Sequence, residues 1–224
     1  LCQIIKFFLD QGYERIKIKI KPEKDVEVVK AIREEFGDFP LQVDANAGYL
    51  KGNAQVLEEL DKFSLLMIEQ PLSARDFVGH SELQKRIKTP ICLDESIVYE
   101  EDVETAYKLG AGRVINIKPA RVGGIYPACK LAEKARQLGF SCWVGGLLET
   151  GIGRAANLSL ACLPYFNYPG DISASDRYFV EDIIDPPFIL QKGSRIQAPS
   201  APGLGVAPVL SRLKHFGVKI HQWQ

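Results

Sequence analysis

A chain of 224 residues can hold one sizeable core or at most two small domains, and 46% hydrophobic with 25% charged residues is an ordinary globular balance. Its 28 Lys and Arg match its 28 Asp and Glu, which argues against nucleic acid or an anionic membrane surface as a partner. No apolar run approaches the roughly 18 residues of a membrane span, and no basic start with a small-residue cleavage site marks a signal peptide.

The chain opens inside a helical pattern, with Ile4, Ile5, Phe8 and Leu9 in periodic spacing and Gly12 as the stop. This start, on Leu and with no strand before it, reads as a fragment of a longer protein. Short β-branched runs then alternate with longer helical patterns. Strands are expected at Arg15–Lys19, Leu41–Asp44, Leu65–Glu69, Ile91–Asp94, Val114–Lys118, Phe140–Val144 and Tyr165–Tyr168. Helices are expected at Val26–Phe36, Ala54–Leu60, His80–Ile87, Val103–Leu109, Pro127–Leu138 and Gly153–Leu163. Such alternation means parallel βαβ units. After Ser173 the pattern ends, and Pro186-Pro187, Pro199, Pro202-Gly203 and Gly205 mark a turn-rich tail.

The repeat is clearest in the charged residues. Lys19, Asp44, Glu69 and Asp94 stand 25 residues apart, and Lys118 follows after 24. A βα unit of a closed barrel has about this length, since eight fill roughly 200 residues or more. Parallel strands are ordinarily apolar throughout, so a charge at the end of five of them is not a folding requirement. In (β/α) barrels that end is the catalytic mouth. Seven strands rather than eight leave two open edges, which should make the chain associate or unfold.

Asp44, Glu69 and Asp94 end successive strands, and three carboxylates in one place repel unless a cation joins them. All-oxygen ligation selects Mg²⁺ or Mn²⁺ over zinc. The competing reading has these acids salt-bridged to Lys17, Lys19 and Lys118. Lys17 and Lys19 alternate with Ile16, Ile18 and Ile20, so both share one face of a strand, the inner face if it is not a solvated edge. Lys118 ends a strand across the barrel, and Asn116 shares its face. Lysines beside a metal and each other should titrate low enough to serve as bases. With a cation holding a substrate carboxylate, opposed lysines could remove and return a proton at the adjacent carbon, the charge of the enediolate being held by the cation and Lys118.

His80, His215 and His221 fall outside the strand ends and are expected at a surface or interface. The cysteines at 2, 92, 129, 142 and 162 are odd in number with no C-x-x-C, and are expected as buried free thiols in a reducing cytoplasm. Gly123-Gly124, Gly145-Gly146 and Gly151-x-Gly153 follow strand ends, where tight turns let backbone approach a substrate carboxylate.

In this order along the chain, RIKIKIKP, LQVDANAGY, LMIEQPL, ICLDESI, NIKPARVGG, WVGGLLETGIGRAAN and PGDISASDRYF resemble the barrel domain of the enolase superfamily. The resemblance is strongest to its o-succinylbenzoate synthase / N-succinylamino acid racemase family. It implies a TIM-like (β/α)7β barrel lacking its first strand and its N-terminal α+β capping domain. Residues 1–174 would supply strands two to eight, and 175–224 a tail packing on the barrel and the cap. It implies Lys19 as proton-abstracting base paired with Lys17, and Lys118 as the opposite lysine. Asp44, Glu69 and Asp94 would be Mg²⁺ ligands, and Asn46, Asn116, Gly145, Gly146, Leu147 and Glu149 would line the substrate. The substrate implied is a small carboxylate, 2-succinyl-6-hydroxy-2,4-cyclohexadiene-1-carboxylate, dehydrated to o-succinylbenzoate in menaquinone synthesis. Racemisation of N-acylamino acids is the alternative, and a homo-oligomeric full-length protein is compatible with either. No strand-end histidine matches the mandelate racemase branch, and Gly170–Ser173 lacks the D-x-D of dipeptide epimerases. Leu147 stands where the family often has Met, and Ala120 where it often has Gly. Two rivals remain at this point: an inactive truncated fragment, and a binding protein that uses the metal to hold a carboxylate.

Overall fold

The computed structural model describes residues 1–50, 52 and 55–217. Helix α1 (Cys2–Asp10) leads into β1 (Ile16–Lys19), and α2 (Asp25–Phe36) into β2 (Leu41–Asp44). There follow α3 (Gln55–Leu60), β3 (Met67–Glu69), α4 (Phe77–Arg86), β4 (Ile91–Leu93), α5 (Glu100–Leu109) and β5 (Val114–Ile117). The short α6 (Pro119–Val122), α7 (Ile125–Gln137), β6 (Ser141–Val144), α8 (Gly151–Ala161) and α9 (Leu210–His215) complete the order. The strands form one parallel sheet in sequence order, β1 to β6.

Alternation sorts the strand residues onto two faces. Ile16, Ile18, Leu41, Val43, Ile68, Ile91, Leu93, Ile115, Ile117, Cys142 and Val144 join the helices in one large core. The other face carries Lys17, Lys19, Gln42 and Asp44, above a small separate cluster of Met67, Cys92, Val114 and Trp143. This second face is concave. Lys17 of β1 lies 5.2 Å from the Trp143 ring centroid on β6, and the Trp143 indole N–H reaches Cys92 Sγ of β4 at 3.3 Å. The sheet therefore curls into an open (β/α) barrel whose first and last strands face each other across its interior.

Local chemistry sets the helix ends. The Asp76 carboxylate accepts from Gly79 N at 2.7 Å and starts α4, ahead of the apolar period at His80. Acidic Glu100, Glu101 and Asp102 start α5 before Val103, and Gly110 with φ 69° ends it. Helices α2, α4, α5, α7 and α8 accordingly begin one to three residues before their expected starts, because apolar periodicity marks the buried face and not the cap.

The segment at Tyr165–Tyr168 is not a strand. Its backbone reaches β6 only through Asn167 N and Tyr168 N, both donating to Cys142 O, while the Asn167 side chain accepts from Cys142 N. A side chain thus replaces a ladder rung between Pro164 and Pro169, which cannot donate. Arg15 closes this side instead, donating to Pro169 O at 2.6 Å and Gly170 O at 2.7 Å. The tail is anchored through Asp182, which is buried and accepts from Ser175 Oγ (2.5 Å), Gly151 N (2.8 Å) and Arg154 (3.4 Å).

Two histidine and cysteine expectations need correction. His80 is fully buried, not superficial, because its ring serves the backbone: Nε2 accepts from Leu72 N at 3.3 Å and Nδ1 donates to Asp76 O at 2.7 Å. His215 is exposed, and His221 lies outside the described residues. All five cysteines are free, but only Cys92 and Cys142 are buried; Cys162, which follows the last residue of α8, is exposed. Burial, partly offset by the Asp76 contacts, lowers the His80 pKa below its ordinary 6.5. A depressed imidazole pKa means the unfolded chain takes up the proton first, so its contribution to stability is lost as pH falls below 6.5. Unfolding midpoints at pH 7.5 and 5.5 are expected to differ less in His80→Gln than in the parent chain.

Candidate active site at the strand ends

Lys19, Asp44 and Glu69 are aligned partners across β1, β2 and β3, so the 25-residue spacing puts them level in one row. At β3–β4 the alignment shifts: Glu69 pairs with Cys92, and Asp94 sits two residues further along. Cys92 pairs with Val114, which by continuation sets Asp94 opposite Asn116 and leaves Lys118 two residues beyond. A constant sequence spacing thus hides the stagger that a barrel requires. All five charged residues lie on the concave face at one end of the sheet.

Their burial differs sharply. Glu69 and Asp94 have no exposed side-chain surface and Asp44 1%, against 18% for Lys17, 14% for Lys118 and 64% for Lys19. Lys17 Nζ lies 3.0 Å from Asp44 Oδ2, 2.8 Å from Glu69 Oε2 and 3.1 Å from Asp171 Oδ2. Lys19 Nζ donates to Asp44 Oδ2 at 2.6 Å and to Asn46 Oδ1. Across the barrel, Lys118 Nζ donates to Asp94 Oδ2 at 2.7 Å, and Arg121 pairs with the other Asp94 oxygen. The acids are therefore salt-bridged to Lys17, Lys19 and Lys118, and these pairs bring both sets of charges into one mouth.

Burial alone would lower the Lys17 pKa, but the attraction of Glu69, Asp171 and Asp44 outweighs it and holds the ammonium well above its ordinary 10.5. The expectation of lowered lysines is thus reversed at Lys17, because three acids surround it. Burial also raises Glu69 to about 7; Lys17 opposes the rise, and the neighbouring charges of Asp44 and Asp94 add to it. Burial raises Asp44 too, but Lys17 and Lys19 together bring it below the ordinary 3.8.

The remaining expected residues separate into two groups. Asn46 and Asn116 join the cluster. Asn46 has φ 42°, its N–H reaches Asp44 Oδ1 at 3.0 Å, and its amide donates to Glu95 at 3.1 Å. Asn116 donates to Glu69 Oε1 at 2.8 Å. Gly145 packs against Asn116, and Gly146 N donates to Asp171 Oδ1 at 2.5 Å. Leu147 is half exposed. Glu149 joins its own loop to α8, accepting from Leu147 N at 2.7 Å and from Asn157 Nδ2 of α8 at 3.0 Å.

Five partners escaped the sequence reading. Gln42 donates to Glu69 Oε2 at 2.7 Å, and its place two residues before Asp44 on one strand face was the available signal. Gln70, with φ 37°, accepts from Asp94 N at 2.8 Å and so fixes the start of the Asp94 loop. Arg121 sits one helical turn past Lys118, a spacing that could have revealed it. Asp171, which meets Lys17, and Arg15, which meets Pro169 and Gly170, carried no such signal, because these contacts form only when the sheet curls.

Among the described residues, no three His, Cys, Asp or Glu side chains are grouped to share one ion as they stand. The donor set nevertheless suits a hard divalent cation. Its three carboxylates come from neighbouring strand ends and are buried, and two already converge on one positive centre, the Lys17 ammonium.

Comparison with known proteins identifies the architecture. Residues 3–211 match the family described as enolase C-terminal domain-like. The chain belongs to this family of the enolase superfamily. It is 53% identical over 210 residues to an N-succinylamino acid racemase of Amycolatopsis, which covers 93% of this chain and 56% of that protein. It is 48% identical to an o-succinylbenzoate synthase of Listeria innocua, with 96% and 58% coverage. A solved enolase-superfamily structure from Listeria innocua superimposes with a TM-score of 0.91 at 47% identity, covering 96% of this chain and 57% of that one. The chain thus spans a little over half the length of these relatives. No helix among the described residues is long and apolar enough to cross a membrane.

Proposed function

We propose that the protein carrying this chain is an o-succinylbenzoate synthase, removing water from 2-succinyl-6-hydroxy-2,4-cyclohexadiene-1-carboxylate by abstracting the proton next to its carboxylate. The supporting observation is that Lys19 and Lys118 rise from opposite walls of one barrel mouth with Asp44, Glu69 and Asp94 buried between them. Those three carboxylates would hold Mg²⁺ or Mn²⁺. When bound, the cation would draw charge from the substrate carboxylate and acidify the adjacent C–H.

Lys19 would take the proton through its neutral amine, steered by Asp44 and Asn46. Lys17, held protonated by three acids, would keep positive charge beneath the reacting carbon. Lys118 would face the opposite side of the substrate and, as an ammonium, offset the charge that develops on losing the proton. The C–O bond to the neighbouring hydroxyl would then break, the departing oxygen taking the proton that Lys19 had removed, so that water leaves, Lys19 is a neutral amine again and the ring is aromatic. Asn46 and Asn116 would fix the groups around the substrate, and the exposed Leu147 would meet its apolar edge.

A second reading, racemisation of N-succinylamino acids, is favoured by the 53% identical racemase and by the same opposed lysines, one removing and the other returning the proton. Offering both substrates to the intact protein with Mg²⁺ decides between them. The synthase reading expects kcat/KM at least about tenfold higher for dehydration. A larger value for racemisation would replace it, and turnover of neither would remove both.

A further inference from the structure

Glu69 is gripped by two neutral amides, one from each side. Gln42 Nε2 donates to Oε2 at 2.7 Å and Asn116 Nδ2 to Oε1 at 2.8 Å. Gln42, Glu69 and Asn116 have no exposed surface. Within the described structure, the amide oxygens Gln42 Oε1 and Asn116 Oδ1 have no hydrogen-bond partner. A buried acceptor left unpaired is costly, so both amides are oriented for their NH₂ groups to serve Glu69. Neither could be replaced by a charged donor without adding to the positive field that Lys17 already supplies.

Gly145 explains how one of these amides is held. A Cβ built there would overlap Asn116 Oδ1 and come within 2.8 Å of Asn116 Cγ. Gly145 N is itself fixed by Ile117 O at 3.0 Å, so the backbone cannot easily retreat. The amide end of Asn116 would have to move, and its bond to Glu69 would be the one broken. The close packing on the Asn116 amide is a reason for glycine at this position that does not depend on the approach of backbone to a substrate carboxylate.

We propose that Gln42 and Asn116 are positioning residues that aim the two oxygens of Glu69, and that Gly145 is glycine to leave room for the Asn116 amide. The inference rests on Glu69 serving a divalent cation, as in the proposed function. Its sign follows from the chemistry: a carboxylate must present a lone pair to the ion, and donors to its remaining lone pairs set that orientation.

The test is a set of Mg²⁺ titrations by calorimetry on intact protein, paired with thermal unfolding in the absence of the ion. Gly145→Ala is expected to weaken Mg²⁺ binding about tenfold, within the range known for residues behind metal ligands. Gln42→Met, which keeps the volume and removes the donor, should do the same with a native unfolding midpoint. In an Asn116→Ala background Gly145→Ala should have almost no further effect on either readout, since the overlapping amide is gone. Unchanged Mg²⁺ affinity in both Gly145→Ala and Gln42→Met would overturn the proposal, as would an undiminished Gly145→Ala effect without Asn116. If Asp44→Asn also leaves Mg²⁺ affinity unchanged, the metal reading itself fails. If only the Gly145 and Gln42 variants are silent, the failure belongs to the amide clamp alone.

Discussion

Lys19→Ala in the intact protein is expected to lower kcat by about a thousandfold while leaving Mg²⁺ affinity within a few-fold of the parent. The side chain is 64% exposed, so its loss removes little packing and should not disturb the fold. Lys17 cannot take over as base, since three acids hold its proton. Lys118 stands on the other wall, tied to Asp94. Lys19→Arg sharpens the result. It keeps a positive charge beside Asp44, yet a guanidinium does not give up its proton near neutrality, so it should be as inactive as alanine. Steady-state turnover and calorimetry on both variants check this. Substantial activity in Lys19→Arg would mean that the position supplies charge and not a base.

The rim of this site was legible in the sequence because a barrel writes its mouth periodically. Lys19, Asp44 and Glu69 fall level because each βα unit here has the same length, and alternation fixed which face they occupy. The stagger at Asp94 and Lys118 was not legible, since register depends on how strands tilt when the sheet curls. Contacts that close the curl were equally hidden. Arg15 meets Pro169 and Gly170, and Lys17 meets Asp171, over separations of about 150 residues. Tyr165–Tyr168 looked like a strand because its composition is aromatic, but flanking prolines and the Asn167 side chain leave it without a ladder. His80 was misplaced because a position outside the strand ends does not reveal that Leu72 N needs an acceptor.

Mg²⁺ should stabilise the folded protein more at pH 8 than at pH 5, and Glu69 is the reason. Its folded pKa of about 7 lies above the ordinary 4.5, so folding favours the protonated acid. That contribution is present below 4.5 and is lost as pH rises through about 7, on the order of 3 kcal/mol in all. Asp44 has the opposite sign: its lowered pKa stabilises above 3.8 and is lost only in stronger acid. Lys17, raised above 10.5, stabilises throughout this range. Of these three groups, Glu69 alone titrates between pH 5 and 8. His80 works against it by losing stability on acidification, so the informative quantity is the difference between the parent and Glu69→Gln. Without added cation, that difference should show the parent falling more steeply as pH rises. A divalent ion reverses the loss, because it binds the carboxylate only when the proton has left. Unfolding midpoints with and without Mg²⁺ at the two pH values measure the effect directly. Equal Mg²⁺ shifts at both, with the same pH slope in Glu69→Gln, would mean that Lys17 alone balances Glu69 and that no cation is needed between the strand ends.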